Sequence, residues 1–281
     1  MFTTALIALD MTPAEQPIID CLPDLKEWGV QRVVLTHVIQ VGYMQGTALT
    51  HEQDYVDWLE KLAQPLRDAG LEVAVSVRAS GLPADEILKT ATEHKADLVV
   101  IGSRGHNLIS KLFLGSVARE VIRKTTLPLL LEWVEPTADS TQHKCEAVCR
   151  QTLRHVLLAT DLSESASAAE QAAIHLAPKA KQVDCLYVME GADRREENLS
   201  SSAVQAALAA LTQRIEAAGS HGNSVVLKSK ASSEIARHAA DRDVSLIVLG
   251  KRGQNPLESL LLGSTTANLC EIAGRPVLMM S

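Results

Sequence analysis

Two segments of the chain share a spacing of glycine and serine that suits the binding of a phosphate group. Each segment reads Gly-x-x-Gly, then nine residues, then Gly-Ser. Glycine lets the backbone approach a ligand closely, and the free N–H groups and positive dipole at the start of a helix attract an anion. Because the serine hydroxyl adds a donor, we predict a phosphate-binding loop in each half. The positions are Gly102, Gly105, Gly115 and Ser116 in the first segment and Gly250, Gly253, Gly263 and Ser264 in the second.

One alternative is that these glycines only form turns and helix caps, because isolated glycine spacings are weak signals. A second copy at the same spacing favours a binding role. The pattern is neither a Walker A loop, which ends in Gly-Lys-Ser/Thr, nor the Gly-x-Gly-x-x-Gly dinucleotide fingerprint. Arg104 and Arg252 lie inside the two loops, where a guanidinium could contact a phosphate oxygen or form a surface ion pair.

The elements that must position these loops also occur twice. Four pairs of sequence strings match at offsets of 148 to 151 residues. They are TTALIALD with RHVLLATD, RVVLTHV with VDCLYV, ADLVVIGSRG with VSLIVLGKRG, and LPLLLEW with RPVLMMS. In the first half the pattern predicts strands near 4–10, 31–38, 71–78, 97–101 and 128–132, and helices near 13–28, 51–69, 83–95 and 115–125. The chain is therefore a tandem duplication of alternating strands and helices.

Such an alternation, with apolar strands, predicts an α/β fold. We expect two tandem Rossmann-like or flavodoxin-like five-stranded parallel sheets with helices on both faces, related by an internal pseudo-two-fold axis. The predicted domains are residues 1–134 and 153–281, joined by a polar linker at 135–152. Ligands of such sheets bind outside the carboxyl ends of the strands. The residues predicted at those ends are Asp10, Val38 and Gly102 in the first half and Asp161, Val188 and Gly250 in the second.

Composition argues against several classes of protein. A formal net charge of −7 over 281 residues, without a Lys/Arg-rich run, predicts no nucleic-acid partner. No stretch approaches the roughly 20 apolar residues that span a bilayer, and the start of the chain lacks the basic region of a signal peptide. Five cysteines in a long chain favour reduced thiols. We therefore expect a cytoplasmic protein without a membrane span.

The cysteines and histidines do not predict a metal site. His143, Cys145 and Cys149 lie together in the linker, but they are one ligand short of a zinc site and do not have its usual spacing. Cys185 falls within a predicted strand and Cys270 on an apolar helical face, where buried free thiols are common. We expect no metal ligands among them.

The repeated motif resembles the Gly-2x-Gly-9x-Gly-(Ser/Thr) nucleotide-binding signature of the universal stress protein family, and the similarity covers nearly all of both halves. The resemblance implies that the ligand is an adenine nucleotide (ATP, ADP or AMP), with or without Mg²⁺. It implies that Asp10 and Asp161 lie by the adenine and ribose and that Val38 and Val188 contact the base. It assigns the ribose and phosphates to Gly102, Arg104, Gly105, Gly115, Ser116 and Val117 in the first half and to Gly250, Arg252, Gly253, Gly263, Ser264 and Thr265 in the second.

The leading hypothesis is a non-catalytic sensor or regulator in the stress response, whose conformation or choice of a regulatory protein partner depends on ATP. Two alternatives stay open: a scaffold that binds no nucleotide, and a slow ATPase or autophosphorylating enzyme. Phosphoryl transfer needs a base and usually a metal on the phosphates, and the sequence places neither Asp10 nor Asp161 near a γ-phosphate. The apolar terminal strands predict that the two halves pair as a pseudo-dimer and that two chains form a homodimer.

Overall fold

The computed structural model describes residues 1–12, 15–40, 52–103, 114–136, 145–147, 151–190, 196–253 and 262–281. The chain divides into two compact units, Met1–Val148 and Cys149–Ser281. Each unit contains a five-stranded parallel sheet with helices between successive strands, which confirms the predicted α/β fold. Within these ranges, no helix is both long and apolar enough to cross a bilayer.

The first unit has the strand order β3-β2-β1-β4-β5. Its strands are β1 (Thr4–Leu9), β2 (Arg32–Gln40), β3 (Glu72–Ser80), β4 (Leu98–Gly102) and β5 (Leu129–Glu132). Its helices are α1 (Glu15–Cys21), α2 (Glu52–Asp68), α3 (Pro83–Glu93) and α4 (Ser116–Lys124). Two short strands, β6 (Val134–Pro136) and β7 (Cys145–Ala147), follow as an antiparallel pair.

The second unit repeats this arrangement with the strand order β10-β9-β8-β11-β12. Its strands are β8 (Val156–Ala159), β9 (Gln182–Met189), β10 (His221–Lys228), β11 (Leu246–Gly250) and β12 (Val277–Met280). Its helices are α5 (Ser167–Leu176), α6 (Glu196–Ala217), α7 (Ala231–Asp241) and α8 (Ser264–Ile272). The matching strand orders confirm the tandem arrangement expected from the repeated sequence.

The strand order explains where a ligand site can form. Strands β2 and β3 lie on one side of β1, and β4 and β5 lie on the other. Right-handed crossovers therefore place α1 and α2 on one face of the sheet and α3 and α4 on the opposite face. The connections that leave the carboxyl ends of β1 and β4 diverge, and this opens a crevice there. Strands β8 and β11 create the same switch point in the second unit.

Burial follows the apolar pattern of the strands. Every residue of β4 and of β11 is buried, and both strands read as continuous apolar runs ending in glycine. Such runs are typical of parallel strands that are covered on both faces. Strands β3 and β10, at the outer end of each order, are only half-buried over most of their length. The fourth strand of each unit, whose carboxyl end borders the crevice, is thus fully buried.

The first helix is shorter than predicted. A helix was expected near residues 13–28, but α1 ends at Cys21 and a 3₁₀-helix spans Leu22–Lys26. Pro23 has no N–H to donate, so it cannot continue the α-helical hydrogen bonds of the preceding turn. Pro17 lies in the first turn of α1, where the missing donor costs little.

The predicted domain boundaries at 134/135 and 152/153 stay a prediction. Strand β7 lies inside the proposed linker, and its partner β6 overlaps the linker's start. Of the three linker residues weighed as metal ligands, Cys145 begins β7, while His143 and Cys149 lie outside the described residues.

Candidate functional site

A cavity of about 430 Å³ lies at the carboxyl ends of β8, β9 and β11 in the second unit. The first residues of α7 and α8 complete its lining. Eight residues were predicted for this half, and all of them line the cavity: Asp161, Val188, Gly250, Arg252, Gly253, Gly263, Ser264 and Thr265. The parallel sheet therefore brings together in one space side chains that are widely separated in the sequence.

Backbone hydrogen bonds fix the end of each glycine loop beside the strand that precedes it. The Gly263 N–H donates to the Lys251 carbonyl at 3.1 Å, and in the first unit the Gly115 N–H donates to the Ser103 carbonyl at 3.0 Å. Both glycines are helix N-caps without a side-chain capping hydrogen bond. Their backbone angles are nearly equal, with φ −57° and ψ 146° at Gly115 and φ −60° and ψ 141° at Gly263. The two helices thus begin in the same geometry.

Two glycines of the second loop lie where a larger residue would collide with its neighbours. A Cβ at Gly250 would lie 3.0 Å from the Arg252 carbonyl oxygen and 3.1 Å from that of Ser165. A Cβ at Gly253 would lie 2.8 Å from Asp161 Oδ2. The loop therefore packs directly against the end of β8, and the absence of side chains at these positions is what allows the close approach.

The Asp161 carboxylate is held by a tight turn after β8. Leu162 has a left-handed backbone with φ 57°. The Ser163 N–H and hydroxyl both donate to Asp161 Oδ1, at 3.1 and 2.5 Å. Ser165 then donates its hydroxyl to the Gly253 carbonyl at 3.0 Å. This turn links the aspartate to the glycine loop and fixes the direction of its carboxylate.

Asp10 lies in a corresponding turn of the first unit. Met11 is left-handed, with φ 61°, and the Thr12 hydroxyl donates to Asp10 Oδ1 at 2.7 Å. The side chains that follow the two aspartates differ between the halves, yet the backbone angle and the hydroxyl donor are the same. The carboxylate of Asp10 is therefore oriented by the same kind of turn as that of Asp161.

The other residues predicted for the first unit lie on the corresponding elements. Val38 lies in β2, Gly102 ends β4, Gly115 caps α4, and Ser116 and Val117 open that helix. Two further predicted residues, Arg104 and Gly105, lie outside the described residues.

An aromatic cluster and a second carboxyl lie close to Asp10. The His37 ring stacks on Tyr55 with centroids 4.8 Å apart and meets the edge of Trp58 at 5.3 Å. Trp58 Nε1–H donates to Glu15 Oε1 at 3.0 Å. Burial raises the pKa of Glu15, against the Trp58 hydrogen bond, and the charge of Asp10 adds to the rise. The first-unit aspartate thus shares its surroundings with another carboxyl group.

Positive charge is concentrated at the second glycine loop. Arg252 lines the cavity, and the preceding Lys251 is buried, with 6% of its surface exposed. Burial, and then the neighbouring Arg252, lower the pKa of Lys251 to about 8. The lysine is therefore mostly protonated at neutral pH. The dipole of α8 and the Arg252 guanidinium, which lines the cavity, make this end suitable for an anion.

Sequence reasoning missed several residues that line the cavity. Thr160 precedes the predicted aspartate, while Tyr187 and Glu190 flank Val188 and Ala231 begins α7. The Thr160 hydroxyl donates to Glu170 Oε1 at 2.7 Å. The Ala231 N–H donates to Glu190 Oε1. Glu190 and Ala231 are 41 residues apart, and no local pattern signals that they meet.

A second polar cluster lies near the amino end of β9, away from the cavity. Asp184 is fully buried, and its Oδ2 lies 3.1 Å from His155 Nε2 and 3.2 Å from His238 Nε2. Gln182 donates to Oδ1 at 2.9 Å. Burial opposes ionisation, but the close His155 ring and the hydrogen bonds from Gln182 and His238 outweigh it and hold the pKa of Asp184 well below its usual range. His238 and Asp184 are 54 residues apart in the sequence, so no local pattern signals that they meet.

The thiols predicted to be free and buried are so in the structure. Cys185 and Cys270 are buried and make no disulfide, and so is Cys21. Burial raises the pKa of Cys185 to about 11 and that of Cys270 to about 12. These thiols therefore lack the thiolate character of a nucleophile.

Comparison with known proteins identifies the family. The model of the Universal stress protein family matches residues 1–131 and again residues 152–281. The chain belongs to the universal stress protein family. The predicted resemblance and the tandem arrangement are therefore confirmed.

Relatives match one half at a time, whereas a solved structure matches the whole chain. Universal stress protein YxiE of Bacillus subtilis is 26% identical over 147 residues, which is 47% of this chain and 99% of that protein. Universal stress protein A homolog 1 of Coxiella burnetii is 26% identical over 141 residues, 46% of this chain and 95% of that protein. The crystal structure of a universal stress protein from Archaeoglobus fulgidus superposes with a TM-score of 0.76 at 21% identity, covering 99% of this chain and 96% of that one. It shows the same fold.

Proposed function

We propose that the chain binds an adenine nucleotide in the cavity of the second unit and acts as a non-catalytic, nucleotide-dependent regulator in the stress response of the cytoplasm. The observation that supports this most directly is that all eight residues expected from the glycine motif and strand ends of this half line one cavity. Its volume of about 430 Å³ lies within the range of small-molecule sites. The first-half set around Asp10 stays a prediction.

The chemistry of the cavity supports a nucleotide with its phosphates at α8. The amides of that helix start, the hydroxyls of Ser264 and Thr265, and the Arg252 guanidinium are donors suited to phosphate oxygens. Apolar side chains, among them Leu186 and Ile235, offer a surface for a base. The ligand that combines a polyanionic end with a flat apolar end is a nucleotide.

We propose that any Mg²⁺ enters with the phosphates. Asp161 and Glu190 are the carboxylates among the described lining residues, and each already accepts a hydrogen bond from its own unit. In the described ranges, no group of three His, Cys, Asp or Glu residues could hold a metal ion. Mg²⁺ binds proteins through few carboxylates and through substrate phosphates, so phosphate oxygens would supply its principal ligands.

We favour binding over catalysis because hydrolysis needs a base that activates water at the terminal phosphate. Asp161 Oδ1 is held by two donors from Ser163, which suits a fixed acceptor for ligand hydroxyls or amines. A regulator also needs different affinities in two conformations, and the nucleotide would supply that difference. The homodimer, the regulatory protein partner and the pairing of the two halves stay predictions.

Thermal unfolding with and without nucleotide tests this proposal. A ligand at about 100 times its Kd stabilises the folded state by about 2.7 kcal/mol, so saturating ATP, ADP or AMP with Mg²⁺ should raise the melting temperature. Gly263→Val and Gly115→Val form a matched pair, because both glycines cap a helix with the same backbone angles. We expect Gly263→Val to abolish the shift and Gly115→Val to preserve it.

Three other outcomes would contradict the proposal. If none of the nucleotides moves the melting temperature, the protein is a nucleotide-independent scaffold. If only Gly115→Val abolishes the shift, the first unit is the binding unit. Steady ATP hydrolysis that Gly263→Val removes would identify an enzyme.

A further inference from the structure

Two helix N-termini meet at the cavity of the second unit. Ala231, the first residue of α7, and Ser264, the first residue of α8, both line it, and the two helices pack against each other. Each N-terminus presents unsatisfied N–H groups and the positive end of a helix dipole. On this ground alone, an anionic group of a ligand could bind at either helix.

The two N-termini differ in what satisfies their N–H groups. At α7 the N-cap residue Lys230 makes no side-chain capping hydrogen bond, and the Ala231 N–H donates instead to Glu190 Oε1 from the end of β9. At α8 the N-cap is Gly263, which has no side chain, and no side chain among the described residues bonds to the first N–H groups of the helix. The protein's own carboxylate therefore neutralises the dipole of α7, whereas the start of α8 keeps its positive potential beside Arg252.

The corresponding place in the first unit is built differently. By the offset that relates Val38 to Val188, the counterpart of Glu190 is Gln40. Helix α3 begins at Pro83, which has no N–H to be capped. The carboxylate of Glu190 and the N–H that donates to it are thus both present only in the second of these two corresponding places.

We propose that Glu190 orients the nucleotide in this cavity and selects its base by accepting a hydrogen bond from an exocyclic amino group. The inference rests on the proposed function, because it requires that a nucleotide occupies the cavity. A carboxylate repels phosphate and can only accept hydrogen bonds. The phosphates therefore lie at the start of α8, beside Arg252, and the base lies beside Glu190.

The remaining hydrogen-bonding capacity of Glu190 determines what it can recognise. Oε1 accepts the Ala231 N–H, and no hydrogen bond from the described residues reaches Oε2, so Oε2 can accept one from the ligand. An adenine amino group can donate to it, whereas the 6-oxo group of hypoxanthine would place two acceptors against each other. The site therefore favours ADP over IDP, two nucleotides that differ at this edge of the base.

Glu190→Gln tests the inference while preserving the helix cap. The single carbonyl oxygen of glutamine can still accept the Ala231 N–H, so its amide group then faces the ligand as a donor. We expect the wild type to bind ADP about fivefold or more tightly than IDP, and the variant to lose or reverse this preference. Glu216→Gln, which removes the same charge from an exposed position on α6, should leave the ratio unchanged.

Isothermal titration of the full chain with ADP, IDP and GDP distinguishes the outcomes. If the ADP to IDP ratio of Glu190→Gln equals that of the wild type, Glu190 does not read the base and the inference is wrong. A wild type that binds GDP more tightly than ADP would also overturn it. If the wild type binds none of the three, the proposed function itself fails. Equal melting temperatures of the ligand-free variant and wild type would show that the cap is intact.

Discussion

A buried carboxyl group in the first unit makes a sharp prediction for folding stability. Glu132 ends β5 with 3% of its surface exposed, and its Oε2 has no hydrogen-bond partner among the described residues. Burial, and then the charge of Asp24, raise its pKa to about 7. Ionising this group in the folded state is therefore unfavourable. We expect Glu132→Gln to stabilise the first unit at neutral and higher pH.

The magnitude follows from the difference between the two pKa values. The ordinary value is 4.5 and the folded value is about 7. Between them the folded state holds a proton that the unfolded state has lost, so stability falls by about 1.4 kcal/mol for each pH unit. The stabilisation from this group is fully present below pH 4.5 and lost as the pH rises through the folded value. The total loss is about 3 kcal/mol.

Tryptophan fluorescence can follow the first unit alone. The chain has three tryptophans, Trp28, Trp58 and Trp133, and all lie within Met1–Val148. Urea unfolding of wild type and Glu132→Gln should therefore give the free energy of unfolding of this unit at each pH. As the pH rises from about 4.5 to 8, the free energy of unfolding of the variant should increase by about 3 kcal/mol relative to that of the wild type. The cost of burying the amide lowers the variant's stability by a constant amount at every pH.

A control with the opposite sign sharpens the comparison. Glu120 is exposed, and hydrogen bonds from Arg123 and Lys124 lower its pKa. Neutralising it in Glu120→Gln should remove a small stabilisation at neutral pH rather than add one. If the difference between Glu132→Gln and wild type is the same at low and high pH, the carboxyl of Glu132 is not held protonated and the reasoning fails.

Two further predictions concern the second unit. Gly250→Ala places a Cβ against two backbone carbonyl oxygens, so ADP affinity in titration calorimetry should fall about tenfold. In Gly263→Ala the nearest contact of the new Cβ is the Lys251 carbonyl oxygen at 3.3 Å, so this variant should lose clearly less ADP affinity. Equal losses of affinity in the two variants would contradict this explanation. Asp184→Asn removes a buried carboxylate that lies 3.1 Å from His155 Nε2 and 3.2 Å from His238 Nε2. The loss of hydrogen bonds to a charged group should cost about 1.5–3 kcal/mol of stability, seen as faster amide exchange in β9. Because the pKa of Asp184 is held low, the amides of β9 in the wild type should stay protected from exchange at neutral pH and lose protection only below pH 3.8. If Asp184→Asn leaves the exchange rates of β9 unchanged, Asp184 does not stabilise this unit.

The site of the second unit could be predicted because its residues follow simple rules of the fold. Parallel strands place their carboxyl ends at one edge, so a strand-ending aspartate and a glycine loop after the fourth strand must converge. The duplication made the loop recognisable, since the same nine-residue gap occurs twice. The positions of the strand ends and the spacing of the glycines therefore predicted residues that line the cavity.

Other contacts could not be predicted because they depend on which helix packs over which strand. Glu190 meets Ala231 across 41 residues, and Asp184 meets His238 across 54. No periodicity in the sequence records such pairings, and each residue alone looks like an ordinary surface or core residue. The break after α1 could have been anticipated, because Pro23 lacks the donor that a continuing helix requires.

The turns after Asp10 and Asp161 have the same backbone geometry in both halves of the duplication. Met11 and Leu162 keep φ values of 61° and 57°, although a left-handed backbone costs an L-residue about 1–2 kcal/mol and glycine would avoid that cost. The two copies have diverged in sequence while retaining the same unfavourable angle. The direction of the aspartate carboxylate is therefore set by the backbone of the turn, and it does not depend on which side chain follows the aspartate. The same turn geometry therefore occurs in both halves, although the residues that follow the aspartates differ.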